Sequence, residues 1–403
     1  MQTHAPDSVG MDSGRLERID RTMQAAVAND QLPGILTVVQ RRGKVVQFGK
    51  YGKMDIEAGR AMEDDALFRI YSMSKPITSV AAMLLVEAGQ LSLNDPVSKY
   101  IPAFKKTKVY EGAGANGMRL VEQQPEMRVY HLLTHTAGLS YGFHLDSPLE
   151  DRYRDVFSKN FRRDQPLGDV MELLAEIPLL FQPGSAWRYS VATDVLGYLV
   201  QVVADVPLSE FFKTRIFQPL GMVDTDFYVP PEKLGRLAQI YTAAHLYDLA
   251  VIPPEDVGLI RDVTTPTQAP SGGGGLISTL ADYLVFCNFL LAMGQYEGGR
   301  LLSRKTLEWM SANHIPAALM PLRMGLDTLD HGFGLGFSVT TALGMARNLA
   351  SVGNFGWGGA AKTMFVIDPS EAMILLMMTQ HLPVDPYPLS ERFQTLAYQA
   401  IND

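Results

Sequence analysis

The order of apolar patterns along the chain predicts an α+β fold, and three observations carry that reading. Strand-like segments gather towards both ends of the 403 residues, the middle is mainly helical, and one segment, residues 77–86, is apolar nearly all round. A helix of that last kind belongs in the centre of a core. The expected architecture is an antiparallel sheet built from both chain ends and flanked by helices, with a mainly helical domain inserted. In numbers, residues 1–88 and 206–403 form a discontinuous α/β domain and residues 89–205 the inserted one.

Each element follows from a local signal. Residues 12–27 read as an amphipathic helix, with Leu16, Ile19, Met23, Ala26 and Val27 on one face and Asp12 or Ser13 as cap. Residues 35–40 and 44–51 read as a hairpin around Arg41-Arg42-Gly43. A helix is expected from Ser72, with Pro76 tolerated in its first turn and Gly89 and Asn94-Asp95-Pro96 as stops. Residues 110–118 read as a Gly/Ala-rich loop, 127–136 as a short helix, and 145–166 as an aperiodic polar stretch fit for a lid. Helices are expected over 167–180, 193–204, 208–216, 279–293 and 389–401. Residues 251–270 look irregular, with Pro253, Pro254, Pro266 and Pro270. Strands are expected at 333–340, 351–355, 360–368 and 372–380, the last two joined by a turn at Asp368-Pro369-Ser370-Glu371.

Composition narrows the function classes. The formal net charge is −8 and the pI about 5.5, which gives no basic footprint for nucleic acid. No apolar run approaches the roughly 18 residues of a membrane span, and residues 1–7 lack the pattern of a signal peptide, so a soluble cytoplasmic protein is expected. Cys287 is alone, which excludes an internal disulfide.

Ser72 and Lys75 carry the sharpest chemical signal. Three apart at a helix start, they share a face, one turn apart. A serine hydroxyl needs a base beside it to attack. Burial and the positive helix end both disfavour an ammonium at position 75, which suits a base or proton relay. A chain of this length holds about one S-x-x-K by chance, so the context carries the argument. Ser140 lies in a G-x-S-x-G, but the strand before and the helix after that a nucleophile elbow needs are missing. His131 and His135 have the spacing of helical metal ligands without the glutamate of H-E-x-x-H, and read as packing and capping residues; no metal or cofactor is expected. Gly272–Gly275 lacks a P-loop lysine and reads as close backbone packing. Tyr189, between a Pro-Gly turn and a buried helix, is a base if it lies near Lys75.

Together, Ser72-Met-Ser-Lys75-Pro, His131-Leu-Leu-Thr-His-Thr-Ala-Gly138-Leu, Pro183-Gly-Ser-Ala-Trp-Arg-Tyr189-Ser, Ser271-Gly-Gly-Gly-Gly-Leu-Ile-Ser and Trp357-Gly-Gly resemble the serine β-lactamase and penicillin-binding-protein superfamily. The resemblance is nearest to its class-C-like branch and, within that, to the family VIII carboxylesterases. It implies a β-lactamase/transpeptidase-like fold and a small-molecule ester substrate. It makes Ser72 the acylated nucleophile, Lys75 its hydrogen-bonded lysine and Tyr189 the general base. The backbone N–H groups of Ser72 and Ala360 become the oxyanion hole, with Trp357, Gly358 and Gly359 at the position of K-T-G. Tyr141 and Phe143 are expected to line the substrate pocket. Two departures, Tyr189-Ser190-Val191 in place of Y-x-N and the missing K-T-G, point from β-lactam towards ester. The rivals are an acyltransferase of the same superfamily, a β-lactamase or D-aminopeptidase-like hydrolase, and a binding protein on the same scaffold.

Overall fold

Every residue of strand β1 (Gly34–Arg41) is buried, so both of its faces must be covered. The protein, seen in a computed structural model, covers them with two helix layers. The structure describes residues 1–403 except 115–116, 145, 161–164, 246–247, 252–261, 325–326, 330, 347 and 383–386. On one face, Ile35 and Val39 of β1 and Leu375 and Met377 of a neighbouring strand pack on helix α1 (Ser13–Ala28) and the C-terminal helix Leu389–Tyr398. On the other, Leu36, Val38, Leu376 and Met378 pack towards helix α2 (Ser74–Glu87) and the helix Leu280–Leu291. Alternate residues of one strand therefore serve two cores, as the two-residue period of a strand requires.

Among the described residues the main sheet has eight strands, all paired antiparallel. In chain order these are β1, β2 (Lys44–Asp55), β3 (Arg60–Ala61), β4 (Gly332–Phe333), β5 (Ser338–Val339), β6 (Phe355–Gly358), β7 (Met364–Asp368) and β8 (Met373–Thr379). Across the sheet the order is β4-β5-β6-β7-β8-β1-β2-β3, so the two chain ends meet where β8 pairs with β1. The Asp368–Glu371 turn forms as expected, with the Asp368 carboxylate accepting the N–H groups of Ser370 and Glu371. The core that contains α2 continues into the middle of the chain through Leu132, Val170, Val195 and Leu199. Among the described residues no single helix is long and apolar enough to cross a membrane.

Several expectations need correction. The single strand at 333–340 is two short strands, because Gly336 turns the chain at a φ of 99° against the side chain of Ser79. The strands expected at 351–355 and 360–368 lie later, at β6 and β7, around a tight turn in which Gly359 N–H donates to the Thr363 carbonyl at 2.7 Å. Gly356 and Gly358 pair within the sheet, and a Cβ at Gly356 would meet the Phe365 backbone. Of residues 110–118, read as a loop, 110–114 and 117–118 belong to a hairpin of Val109–Gly114 with Gly117–Val121, and 115–116 lie outside the described residues. The stretch 145–166 contains the helix Glu150–Asn160, anchored by buried Glu150 and Tyr153; Leu145 and residues 161–164 of it lie outside the described residues. So do residues 252–261 of the stretch expected to be irregular. The glycine tract does not run straight into a helix. Ile277–Ser278 first pairs with Phe68–Arg69, and the helix starts at Leu280 behind a Thr279 cap.

Candidate active site

Ser72 does not open the helix. It sits in the 3₁₀ turn Tyr71–Met73, and α2 begins at Ser74, with Pro76 in its first turn. The residue before it, Tyr71, has a φ of 44°, a conformation that costs an ordinary side chain about 1–3 kcal/mol and persists only when its surroundings enforce it. Here Tyr71 packs with Ala361 and Leu382, with Ala360 against them. This turn lifts Ser72 out of the core while Lys75, 1% exposed, stays in it.

Three side chains converge. Lys75 Nζ donates to Ser72 Oγ at 3.1 Å, and Tyr189 Oη donates to the same oxygen at 2.6 Å. Lys75 Nζ also donates to the Gly273 carbonyl at 2.6 Å and lies 4.6 Å and 5.1 Å from the ring centroids of Tyr189 and Tyr141.

Tyr189 is placed by its neighbours. The Arg188 N–H donates to the His135 carbonyl at 2.9 Å, His135 Nδ1 is 3.3 Å from Ser190 Oγ, and the His135 and Tyr189 rings lie 5.0 Å apart. His135 itself adopts a φ of 55°. Its imidazole is held well below its ordinary value, by burial first and by the Lys75 charge second, so it is neutral at pH 7. His131 caps its own helix turn by accepting the Arg128 N–H on Nδ1. Packing and capping account for both histidines, as their sequence context suggests.

The far wall is β6 and the turn after it. Trp357 Nε1 donates to Tyr189 Oη at 3.4 Å, and the Trp357 ring meets Phe333 edge-on at 5.3 Å. Thr363 Oγ1 donates to the Ile70 carbonyl at 3.4 Å, and a Cβ on Gly359 would collide with that same carbonyl, so the turn carrying Ala360 is pressed against the Ser72 turn. Tyr141 is buried and stacks on Phe143 at 5.1 Å, whereas Phe143 is 49% exposed at the rim. The two sequence departures also take physical form. Val191 is fully buried in the core, and Lys362 reaches away to the Tyr387 carbonyl at 2.6 Å.

Ser140 has a different setting. Its Oγ donates to both oxygens of buried Glu150, at 3.0 and 2.8 Å, and Glu150 accepts from Arg188 at 3.0 Å. Arg188 also pairs with Asp146 at 2.8 Å. Sequence reasoning missed Asp194 and the role of Gly273. The one available signal was an acidic residue in the first turn of an otherwise apolar helix, Ala192–Ala204.

Comparison with known proteins agrees with this geometry. The Beta-lactamase family model matches residues 19–399. Esterase EstB of Burkholderia gladioli is 30% identical over 398 residues, covering 93% of each chain. Protein Rv1367c of Mycobacterium tuberculosis is 36% identical over 368 residues, covering 87% of this chain and 86% of its own. Among solved structures, EstCE1, described as a hydrolase with promiscuous acyltransferase activity, superposes with a TM-score of 0.80 at 27% identity, over 96% of this chain and 98% of its own.

Proposed function

This chain belongs to the beta-lactamase family, and from that premise we propose that it is a serine carboxylesterase of the family VIII type, acylated on Ser72. The observation that carries the reading is the double hydrogen bond at Ser72 Oγ from Lys75 and Tyr189. The chain's two regions each supply part of it. Ser72 and Lys75 come from residues 1–88, Tyr189 from residues 89–205, and Ala360 from residues 206–403, a division we propose as the two walls of the cleft.

The reaction starts when Tyr189 Oη, as the phenolate beside the Lys75 ammonium, takes the Ser72 proton. Ser72 Oγ bonds to the ester carbonyl carbon, and the oxyanion rests on the N–H groups of Ser72 and Ala360. The intermediate collapses, the C–O bond to the alcohol breaks, and Tyr189 returns the proton to the leaving oxygen. Water then enters, Tyr189 deprotonates it, and the acid leaves as the proton returns to Ser72. This chemistry needs no group from outside the chain.

Trp357, Gly358 and Gly359, with Tyr141 and the rim Phe143, present aromatic and backbone surface to the substrate, which favours an uncharged ester. A β-lactam would find neither an amide at position 191 nor a lysine at 357. The charge-assisted bond lost with that lysine is worth about 1.5–3 kcal/mol, or roughly 10–150-fold. The test is p-nitrophenyl esters of increasing chain length against nitrocefin on one preparation, with Trp357→Lys in parallel. Short-chain esters should be turned over far faster than nitrocefin, and Trp357→Lys should narrow the gap. A kcat/KM for nitrocefin equal to that for the ester overturns the reading. Acyltransfer is the second reading, favoured by the promiscuous acyltransferase activity described for EstCE1. Partition of the acyl-enzyme between water and an added alcohol distinguishes it.

A further inference from the structure

We infer that Asp194 is the positioning residue for Lys75, acting through the Gly273 peptide that its carboxylate holds. The inference rests on reading Ser72, Lys75 and Tyr189 as the acylating centre. Asp194 is 0% exposed. Its Oδ1 accepts the Gly273 N–H at 3.1 Å and the Ser271 hydroxyl, and its Oδ2 accepts Tyr141 Oη at 3.3 Å. One backbone residue therefore gives its N–H to the buried carboxylate and its carbonyl to Lys75 Nζ, 2.6 Å away. The fit leaves no slack. A Cβ at Gly273 would meet Asp194 Oδ2 and lie 2.8 Å from Tyr141 Oη, which is why the tract is glycine at this position.

The charge has a role beyond the scaffold. Among the described residues all three partners of Asp194 are neutral donors, and a buried carboxylate without a cation in contact is costly. An asparagine would satisfy the same geometry, its oxygen accepting from Ser271 and Gly273 and its amide donating to Tyr141. The carboxylate instead puts a negative charge one residue from the Lys75 ammonium. Other groups face Lys75 as well. Ser72, Tyr189 and Tyr141 touch it, His135 is neutral behind Tyr189, and Arg188 is closed on Glu150 and Asp146. Asp194 thus favours the more positive form of the Ser72–Lys75–Tyr189 cluster. Neutralising it eases proton loss from the cluster and moves the acid limb of the kcat/KM profile to lower pH.

The experiment compares Asp194→Asn, Asp194→Ala and Ser271→Ala, with circular dichroism for folding and a fluorophosphonate titration of Ser72. Asp194→Asn should keep kcat within about tenfold at its own optimum, with the acid limb lowered by about one pH unit. Asp194→Ala should lose about 10²-fold in kcat, as a misplaced proton relay does. Ser271→Ala, which keeps the charge, should lower kcat about threefold to tenfold with the limb in place; it carries the test if the Asp194 variants do not fold. An acid limb unmoved or raised in Asp194→Asn overturns the charge effect. Unchanged kcat in Asp194→Ala, or in Ser271→Ala, overturns the positioning. Failure of the acylation reading is a separate result, seen as full activity in Ser72→Ala.

Discussion

Two serines of this protein sit in hydrolase motifs beside ionisable side chains, and their surroundings are opposite. Ser72 Oγ accepts hydrogen bonds from Lys75 and Tyr189 at a partly open turn. Ser140 Oγ gives its proton to Glu150, a carboxylate already paired with Arg188, in a place with 0% exposure. A serine attacks when its oxygen is reachable and a neighbour can take its proton. Ser140 fails the first requirement, and Glu150, paired with the Arg188 guanidinium, serves it as an anchor. The two clusters share one peptide bond, since Arg188 closes the Ser140 cluster and Tyr189 completes the other. The Ser140 cluster is thus structural support for Tyr189, the proposed base.

The largest effects should come from the reacting cluster. Tyr189→Phe and Lys75→Ala should each lower kcat by about 10²–10⁴-fold in folded protein, and the double variant should be little worse than either, because members of one relay act as a unit. Additive losses in steady-state assays would show two separate roles.

The supporting cluster should respond in stability. Glu150→Ala takes the buried partner from Arg188, which keeps Asp146, and should cost about 3 kcal/mol in urea denaturation, the low end for a broken buried pair. Ser140→Ala removes the hydroxyl's bond shared between the Glu150 oxygens and the one it accepts from the Gly142 N–H, about 1.5–3 kcal/mol, and should leave kcat within a few-fold. Loss of activity in a folded Ser140→Ala variant would erase the distinction between the serines.

The smallest effect is one of pH. Burial, with Arg128 adding to it, pushes the His131 imidazole down to about 4, and His135 is held well below its ordinary value by burial and Lys75. The unfolded chain takes up a proton on each near pH 6.5, and the folded chain does not. Stability is therefore full above about pH 6.5 and falls as the pH drops towards 4, by about 1.4 kcal/mol per pH unit for each proton. His131→Gln keeps an acceptor for the Arg128 N–H and should flatten that slope by at most one proton. An unchanged slope, measured by denaturation from pH 7 to 4.5, would show that His131 does not contribute.

What the sequence made legible follows a physical divide. The helix around Pro76 and Val80, the amphipathic face of α1 with its Asp12 cap, and the sheet from both ends rest on local period and capping, and all form. The convergence of Lys75 and Tyr189 on Ser72 Oγ was legible because family motifs mark all three residues. The glycine-rich strand β6 was misplaced because Gly356 answers to the Phe365 backbone, and Gly359 just after the strand to Ile70, which no local signal reports. Asp194 was missed for the same reason: its partners Ser271 and Gly273 are 77 and 79 residues away.

The central claim is that Ser72 carries the acyl group. The most direct measurement is to react the protein with a fluorophosphonate, digest it, and map the adduct by mass spectrometry alongside residual ester hydrolysis. The account predicts stoichiometric label on Ser72, in step with loss of activity, and none on Ser140. Label on Ser140, or full inactivation without label on Ser72, would contradict it.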